Sequence, residues 1–169
     1  MKKIVLIYGL IAGLLTCTGF LVMGEDMNLD KSMIYGFTAM IVAFSLIFVA
    51  TAQYRKQNGG ILSFKNAFLI GLYISLIAST VYVGVWLITY YNFYPDFMEK
   101  YSARVISDFK ADGATAAQLQ EKIIKVNKMK EYYKNPLYII VTTYMEILPL
   151  SLIVSLISAA VFKKKTKAI

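Results

Sequence analysis

The 169-residue chain is 58% hydrophobic and 17% charged, carries a formal net charge of +8, and contains no histidine and one cysteine, Cys17. This balance excludes an ordinary soluble domain, an intrachain disulfide, and zinc, haem or acid–base chemistry built on histidine. The basic residues flank apolar stretches instead of forming a nucleic-acid patch, so the expected surroundings are a lipid bilayer and not nucleic acid.

Charge almost vacates four windows, at about 4–23, 33–53, 64–91 and 137–162. Each is long enough to cross roughly 30 Å of hydrocarbon as a helix. The predicted fold class is therefore all-α: a polytopic membrane protein of four transmembrane helices, forming one membrane domain over residues 1–169.

The first window follows Met1-Lys2-Lys3, as a signal peptide would, but it runs on to Met23 and no Ala-x-Ala-like site ends it. Leu14-Leu15-Thr16-Cys17 resembles a lipoprotein box only loosely, since Thr16 stands where a small residue belongs. An uncleaved first span is expected. Gly9 and Gly13 form a GxxxG pair in it, a spacing that lets helix backbones approach closely where lipid supplies no hydrophobic drive for association. Gly71, Ser75 and Ser79 make a similar stripe in the third window, and Ser151, Ser155 and Ala159 another in the fourth. These are expected to be internal seams of the bundle, with a face for self-association as the alternative.

Lysine and arginine set the orientation. Lys2 and Lys3 precede the first span, Arg55, Lys56 and Lys65 surround the second connection, and Lys163, Lys164, Lys165 and Lys167 follow the fourth span. The first connection is acidic, with Glu25, Asp26 and Asp30 against Lys31. Both termini are expected in the cytoplasm, in the inner membrane of a bacterium. Against this, the segment between the third and fourth spans carries eight basic residues, accompanied by six acids.

That segment reads as a helical hairpin over about 95–134. Phe97, Tyr101, Val105 and Phe109 recur every four residues and share one helical face. Asp112-Gly113 supplies a stop, and Thr115-Ala-Ala-Gln118 has capping-box spacing for a second helix. Leu119, Ile123, Val126, Met129 or Lys130, and Tyr133 stripe that helix, with lysines opposite. An amphipathic hairpin of this kind either caps the bundle or lies on the lipid surface. Trp86, Tyr90, Tyr91, Phe93 and Tyr94 leave the third span, and Tyr132, Tyr133 and Tyr138 lead into the fourth, as interfacial aromatics do.

Glu146 is the one acid deep inside the spans, about 13 Å along the fourth helix from Leu137 at about 1.5 Å per residue. Such residues face the bundle interior or a cavity and often carry function. Pro149, lacking an N–H, leaves the Met145 carbonyl without its helical partner. By depth, Thr16, Cys17, Thr38, Ser79, Thr80 and Tyr82 lie within its reach. The candidate intramembrane polar site is thus Glu146, Pro149, Met145, Tyr82, Thr80 and Ser79. Three roles stand open for it: a protonated acid bonded to a Tyr or Thr across the bundle, a contact with a partner, or a proton or cation site. No metal-ligand cluster, nucleophile pair or phosphate loop accompanies it, and no cofactor or catalytic residue is expected.

Several of these segments resemble a known family. The turn Asn58-Gly59-Gly60 running into Ser63-Phe64-Lys65-Asn66-Ala67, and the closing Tyr144-Met-Glu146-Ile-Leu-Pro149-Leu…Leu156-Ile-Ser-Ala159…Lys163-Lys-Lys, are similar to those of the bacterial membrane family described as domain of unknown function 4199. The resemblance covers nearly the whole chain. It implies a four-helix inner-membrane protein of the kind found mainly in Bacteroidetes, and it carries no functional residue. The functional expectation is a non-enzymatic accessory or scaffold subunit that binds another membrane protein, itself or lipid. The alternative is a small proton- or cation-coupled carrier using Glu146.

Overall fold

The computed structural model describes residues 1–22 and 29–164. Among the described residues, six α-helices appear in chain order: α1 (Lys2–Thr16), α2 (Leu29–Gln57), α3 (Phe64–Asn92), α4 (Phe97–Ala111), α5 (Ala116–Tyr133) and α6 (Pro136–Phe162). Four candidate membrane spans result, Lys2–Phe20, Met33–Gln57, Phe64–Asn92 and Pro136–Phe162. The protein is an all-α polytopic membrane protein. Met23, Glu25 and Asp26 of the first connection and Lys165 and Lys167 of the tail lie outside the described residues.

The first span does not stay α-helical to Val22. It tightens after Thr16 into a 3-10 segment, Cys17–Val22. The Thr16 hydroxyl donates to the Gly13 carbonyl at 2.7 Å, the Cys17 thiol to the same carbonyl at 3.1 Å, and Thr18 to Leu15 at 2.7 Å. Three consecutive side chains thus bond back to helix carbonyls where the winding changes, the local competition with helical pairing that Ser and Thr offer.

The other helix ends follow their caps. Ser63 Oγ accepts from the Asn66 amide at the start of α3, and Asn135 Oδ1 accepts from the Leu137 amide beside Pro136 at the start of α6. Thr115 and Gln118 form the full reciprocal capping box of α5. Gly59 and Gly60, at φ 67° and 81°, turn the chain from α2 to α3, a backbone region that other residues rarely adopt.

Among the four spans, α3 is the centre of packing. It lies against α6 on one side and α1 on the other, while α2 closes the ring between α1 and α6. The core runs along the inside of the bundle, with Ala12, Ala43, Phe44, Ile47, Ile70 and Ile74 fully buried. At that end a backbone bridge pins the tail to the α2–α3 turn: Leu62 and Lys164 exchange hydrogen bonds of 3.0 and 2.8 Å.

The small-residue seams lie where helices approach most closely. A Cβ on Gly9 would stand 2.8 Å from the Ile77 Cβ, and one on Gly13 would stand 2.7 Å from the Val81 Cβ, so this pair seats α1 on α3. Gly71 meets Ser155, and the Ser75 and Ser155 hydroxyls bond across α3 and α6 at 3.3 Å. Ser79, Ser151 and Ala159 are fully buried.

Helices α4 and α5 form an antiparallel hairpin docked over the far end of the bundle. Phe97, Tyr101, Val105 and Phe109 are only half-buried, and the deepest positions of α4 are Met98 and Ser102. The buried line is rotated by one residue from the periodic stripe. Rings of the stripe pack sideways on other aromatics, so the flank that meets α5 and the bundle is wider than one row. Lys130 pairs with Glu99 at 3.1 Å and Lys122 sits over the Phe109 ring at 5.3 Å, holding the two helices together.

Candidate functional site

A cavity of about 360 Å³ lies between the docked hairpin and the core. Its wall is drawn from the turn Thr16–Phe20, the first half of α2, the upper part of α3, both hairpin helices and α6. The space exists because α2 joins the core only from Met40 onward. Lys31, Met33, Ile34, Tyr35, Phe37 and Thr38 are all exposed, whereas Met40, Ala43, Phe44, Ile47 and Ala50 are buried. Gly36 lines the gap and has open space where a Cβ would stand.

Glu146 projects from α6 into this cavity. The Glu146 side chain is itself exposed. The Tyr82 hydroxyl of α3 lies within interaction range of it, and Tyr133 of α5 approaches from the roof. Thr143, one turn earlier on α6, is buried and donates its hydroxyl to the Ile139 carbonyl at 2.7 Å. Burial holds the Tyr133 phenol above its ordinary ionisation range, and the nearby Glu146 charge acts in the same direction.

One wall is a ladder of rings. Phe20 stacks on Tyr82 at 4.8 Å between centroids and tilts against Trp86 at 5.2 Å. Trp86 meets Phe97 edge to face at 5.0 Å, and Phe97 stacks on Tyr101 at 5.9 Å. The ladder therefore climbs from beside Glu146 into the hairpin. Offset and edge-to-face contacts of this kind suit the ring quadrupoles and fasten the roof to α3.

The residues singled out from the sequence are distributed as follows. Tyr82 and Glu146 come together, and Thr16 lines the same cavity. Thr80 is on the outer face, where its hydroxyl bonds Tyr144 at 2.9 Å. Thr38 is exposed and donates to the Ile34 carbonyl at 2.7 Å. Ser79 is buried, and its hydroxyl lacks a partner. The Met145 side chain is 72% exposed on the lipid side, and Pro149 is also exposed, inside an α6 that continues to Phe162.

Sequence reasoning missed most of the apolar wall. Trp86 read as an interfacial aromatic and Phe97, Tyr101 and Met129 as stripe positions of the hairpin, while Phe20, Met33 and Met98 gave no signal. The one hint was the density of rings at the hairpin end of α3. Their convergence depends on how the hairpin docks, which periodicity does not encode.

Residues 7–164 match the family model described as Protein of unknown function (DUF4199), and the chain belongs to that family. No curated protein matches the chain. No solved structure matches it.

Proposed function

We propose that this member of the DUF4199 family is a non-enzymatic integral membrane protein that holds a lipid or lipid-like small molecule in the cavity beneath the α4–α5 hairpin. One observation carries the reading: a largely apolar and aromatic cavity, lined in part by the exposed Met33 and Phe37 of α2, has among the described residues a single acid, Glu146, in its wall. Its volume of about 360 Å³ falls at the lower end of the roughly 300–1,000 Å³ typical of small-molecule sites. An apolar wall with few polar groups binds by excluding water and uses those groups for orientation. The absence of histidine from the chain removes the commonest acid–base catalyst.

The orientation we assign puts both termini in the cytoplasm of a bacterial inner membrane and the hairpin outside. Two things support it. Lys2, Lys3, Arg55, Lys56, Lys65, Lys163 and Lys164 all belong to the end of the bundle opposite the hairpin. The hairpin's bases are partly matched within it, as in Lys100–Asp96, Arg104–Asp108, Lys125–Glu121 and Lys134–Glu131. A cysteine at Ala114 in a Cys17→Ser background should then react with an impermeant thiol reagent in intact spheroplasts. Labelling only after lysis would invert the topology.

The ligand is tested by purifying the protein in a mild detergent and weighing the intact complex by mass spectrometry. A bound small molecule near one per chain is expected, reduced in Gly36→Phe, which places a ring in the open space of the cavity. An empty protein, or equal retention in the variant, overturns the proposal. Glu146, as the acid of the spans that opens into the cavity, also favours a second reading as a proton- or cation-coupled carrier. That reading requires substrate-dependent proton flux in proteoliposomes that Glu146→Gln abolishes.

A further inference from the structure

We infer that the cavity selects an organic cation with an apolar body, its positive head lodged between Glu146 and the aromatic ladder. The inference deepens the proposal above and rests on it. Its first support is charge: among the described residues no Lys or Arg lines the cavity, and Glu146 is the one carboxyl there. A ligand that brings an anion would leave two like charges, or an unpaired one, in surroundings of low polarity.

The second support is the ring geometry. Phe20 lies 4.8 Å from Tyr82 and 5.2 Å from Trp86 between centroids, on a wall that also carries the acid. Aromatic faces attract a cation through their quadrupoles, and most strongly when the cation is already stripped of water, as quaternary ammonium groups are. A carboxylate at one end of such a wall supplies the full countercharge that rings alone lack.

The same features argue against a metal ion. A hard cation takes six or more oxygen ligands, whereas among the described residues the cavity wall offers one carboxyl, that of Glu146. Among the described residues no group of three or more metal-ligating side chains occurs. The remaining wall suits an organic body. Met33, Met40, Met98 and Met129 present flexible thioethers that shape themselves to varied apolar surfaces. Met33 and Phe37 line the cavity and are 59% and 50% exposed, so they join its wall to the lipid-facing surface.

Trp86 is the sole tryptophan of the chain and lines the cavity, so its emission reports on occupancy. The test is a titration of the full chain, in a maltoside micelle free of cationic lipid, with octyltrimethylammonium, octyl glucoside and octyl sulfate. The expected result is a saturable change with the trimethylammonium probe at concentrations about tenfold or more below those needed by the other two. Glu146→Gln should erase that preference, and Phe20→Leu, which keeps an apolar side chain, should reduce it several-fold. Three equal saturable responses would overturn the cation selectivity and leave the amphiphile site standing. So would a preference that survives in both variants, or one for the sulfate. No saturable response to any probe would overturn both readings.

Discussion

The Trp86 indole of α3 meets the Phe97 ring of α4 edge to face, 5.0 Å between centroids, at the place where the hairpin leaves the bundle. This contact joins the roof of the cavity to its wall. An aromatic pair is worth roughly 0.5–1.5 kcal/mol beyond the area it buries. Phe97→Ala should therefore loosen the docked hairpin by on the order of 1 kcal/mol. Because Lys130–Glu99 and Lys122–Phe109 still link the two hairpin helices, α4 and α5 should stay helical. The expected signature is a red-shifted Trp86 emission with an unchanged far-ultraviolet circular dichroism spectrum. Unaltered emission would show that the contact does not hold the roof.

The α3–α6 seam tolerates no added carbon at Gly71. A Cβ there would lie 2.6 Å from the Ser155 Cβ and 3.0 Å from its Cα, and backbone cannot step aside as a flexible side chain does. Overpacking of this kind costs about 1–3 kcal/mol. Gly71→Ala should lower the thermal midpoint in detergent, and adding Ser155→Gly should restore most of it. A variant as stable as the parent would mean that the helices separate without penalty.

Two neighbouring polar residues on α3 should behave oppositely. The Ser79 hydroxyl is buried without a partner, so Ser79→Ala removes an unsatisfied group and should leave stability unchanged or raise it by up to about 1 kcal/mol. Thr80 bonds both the Leu76 carbonyl at 2.8 Å and the Tyr144 hydroxyl at 2.9 Å. Thr80→Val should cost roughly 0.6 kcal/mol, the average for a hydrogen bond between membrane helices. Reversibly unfolding both variants in mixed micelles measures the pair. Equal losses would refute the distinction.

The hairpin should weaken in acid. The Lys130 ammonium holds the Glu99 carboxyl below its usual value of 4.5, and Lys100 likewise holds Asp96 below 3.8. A carboxylate whose ionisation is favoured by folding stabilises the folded form above its unfolded value. That contribution disappears as the pH falls from there through the lower folded value. Amide exchange in α4 and α5, corrected for the intrinsic rate, should therefore rise below about pH 4.5, in the range set by these carboxyls. Glu99→Gln should flatten most of the change. Both acids are solvent-facing, so the effect should shrink in high salt.

Much of the architecture can be read from residue order, because its causes are local. Charge is excluded from hydrocarbon, which marked the four spans to within a few residues. The Thr115–Gln118 capping box and the Asp112-Gly113 stop are short-range hydrogen bonding and backbone sterics, and they bound α5 and α4 where the motifs lie. The change of winding at Thr16 was missed, although its cause is also local: three side chains there bond back to the Gly13 and Leu15 carbonyls.

The candidate site was legible only in part. Depth along each span brought Tyr82 into the neighbourhood of Glu146, since both lie at a definite number of residues from the membrane surface. Depth carries no information about rotation, however. Thr80, two residues from Tyr82, points about 200° away on a helix of 3.6 residues per turn and pairs with Tyr144 outside the bundle.

The cyclic order α1–α3–α6–α2, the stand-off of the first turns of α2 and the docking of the hairpin were decided by tertiary packing. Each depends on which surfaces meet across long stretches of chain, and apolar helices in lipid carry almost no amphipathic pattern to announce it. A cavity is a space between elements, and its wall here comes from six separate segments. Glu146 could be found in the sequence as an acid where none should be; that it has a cavity to face is a property of the assembled bundle.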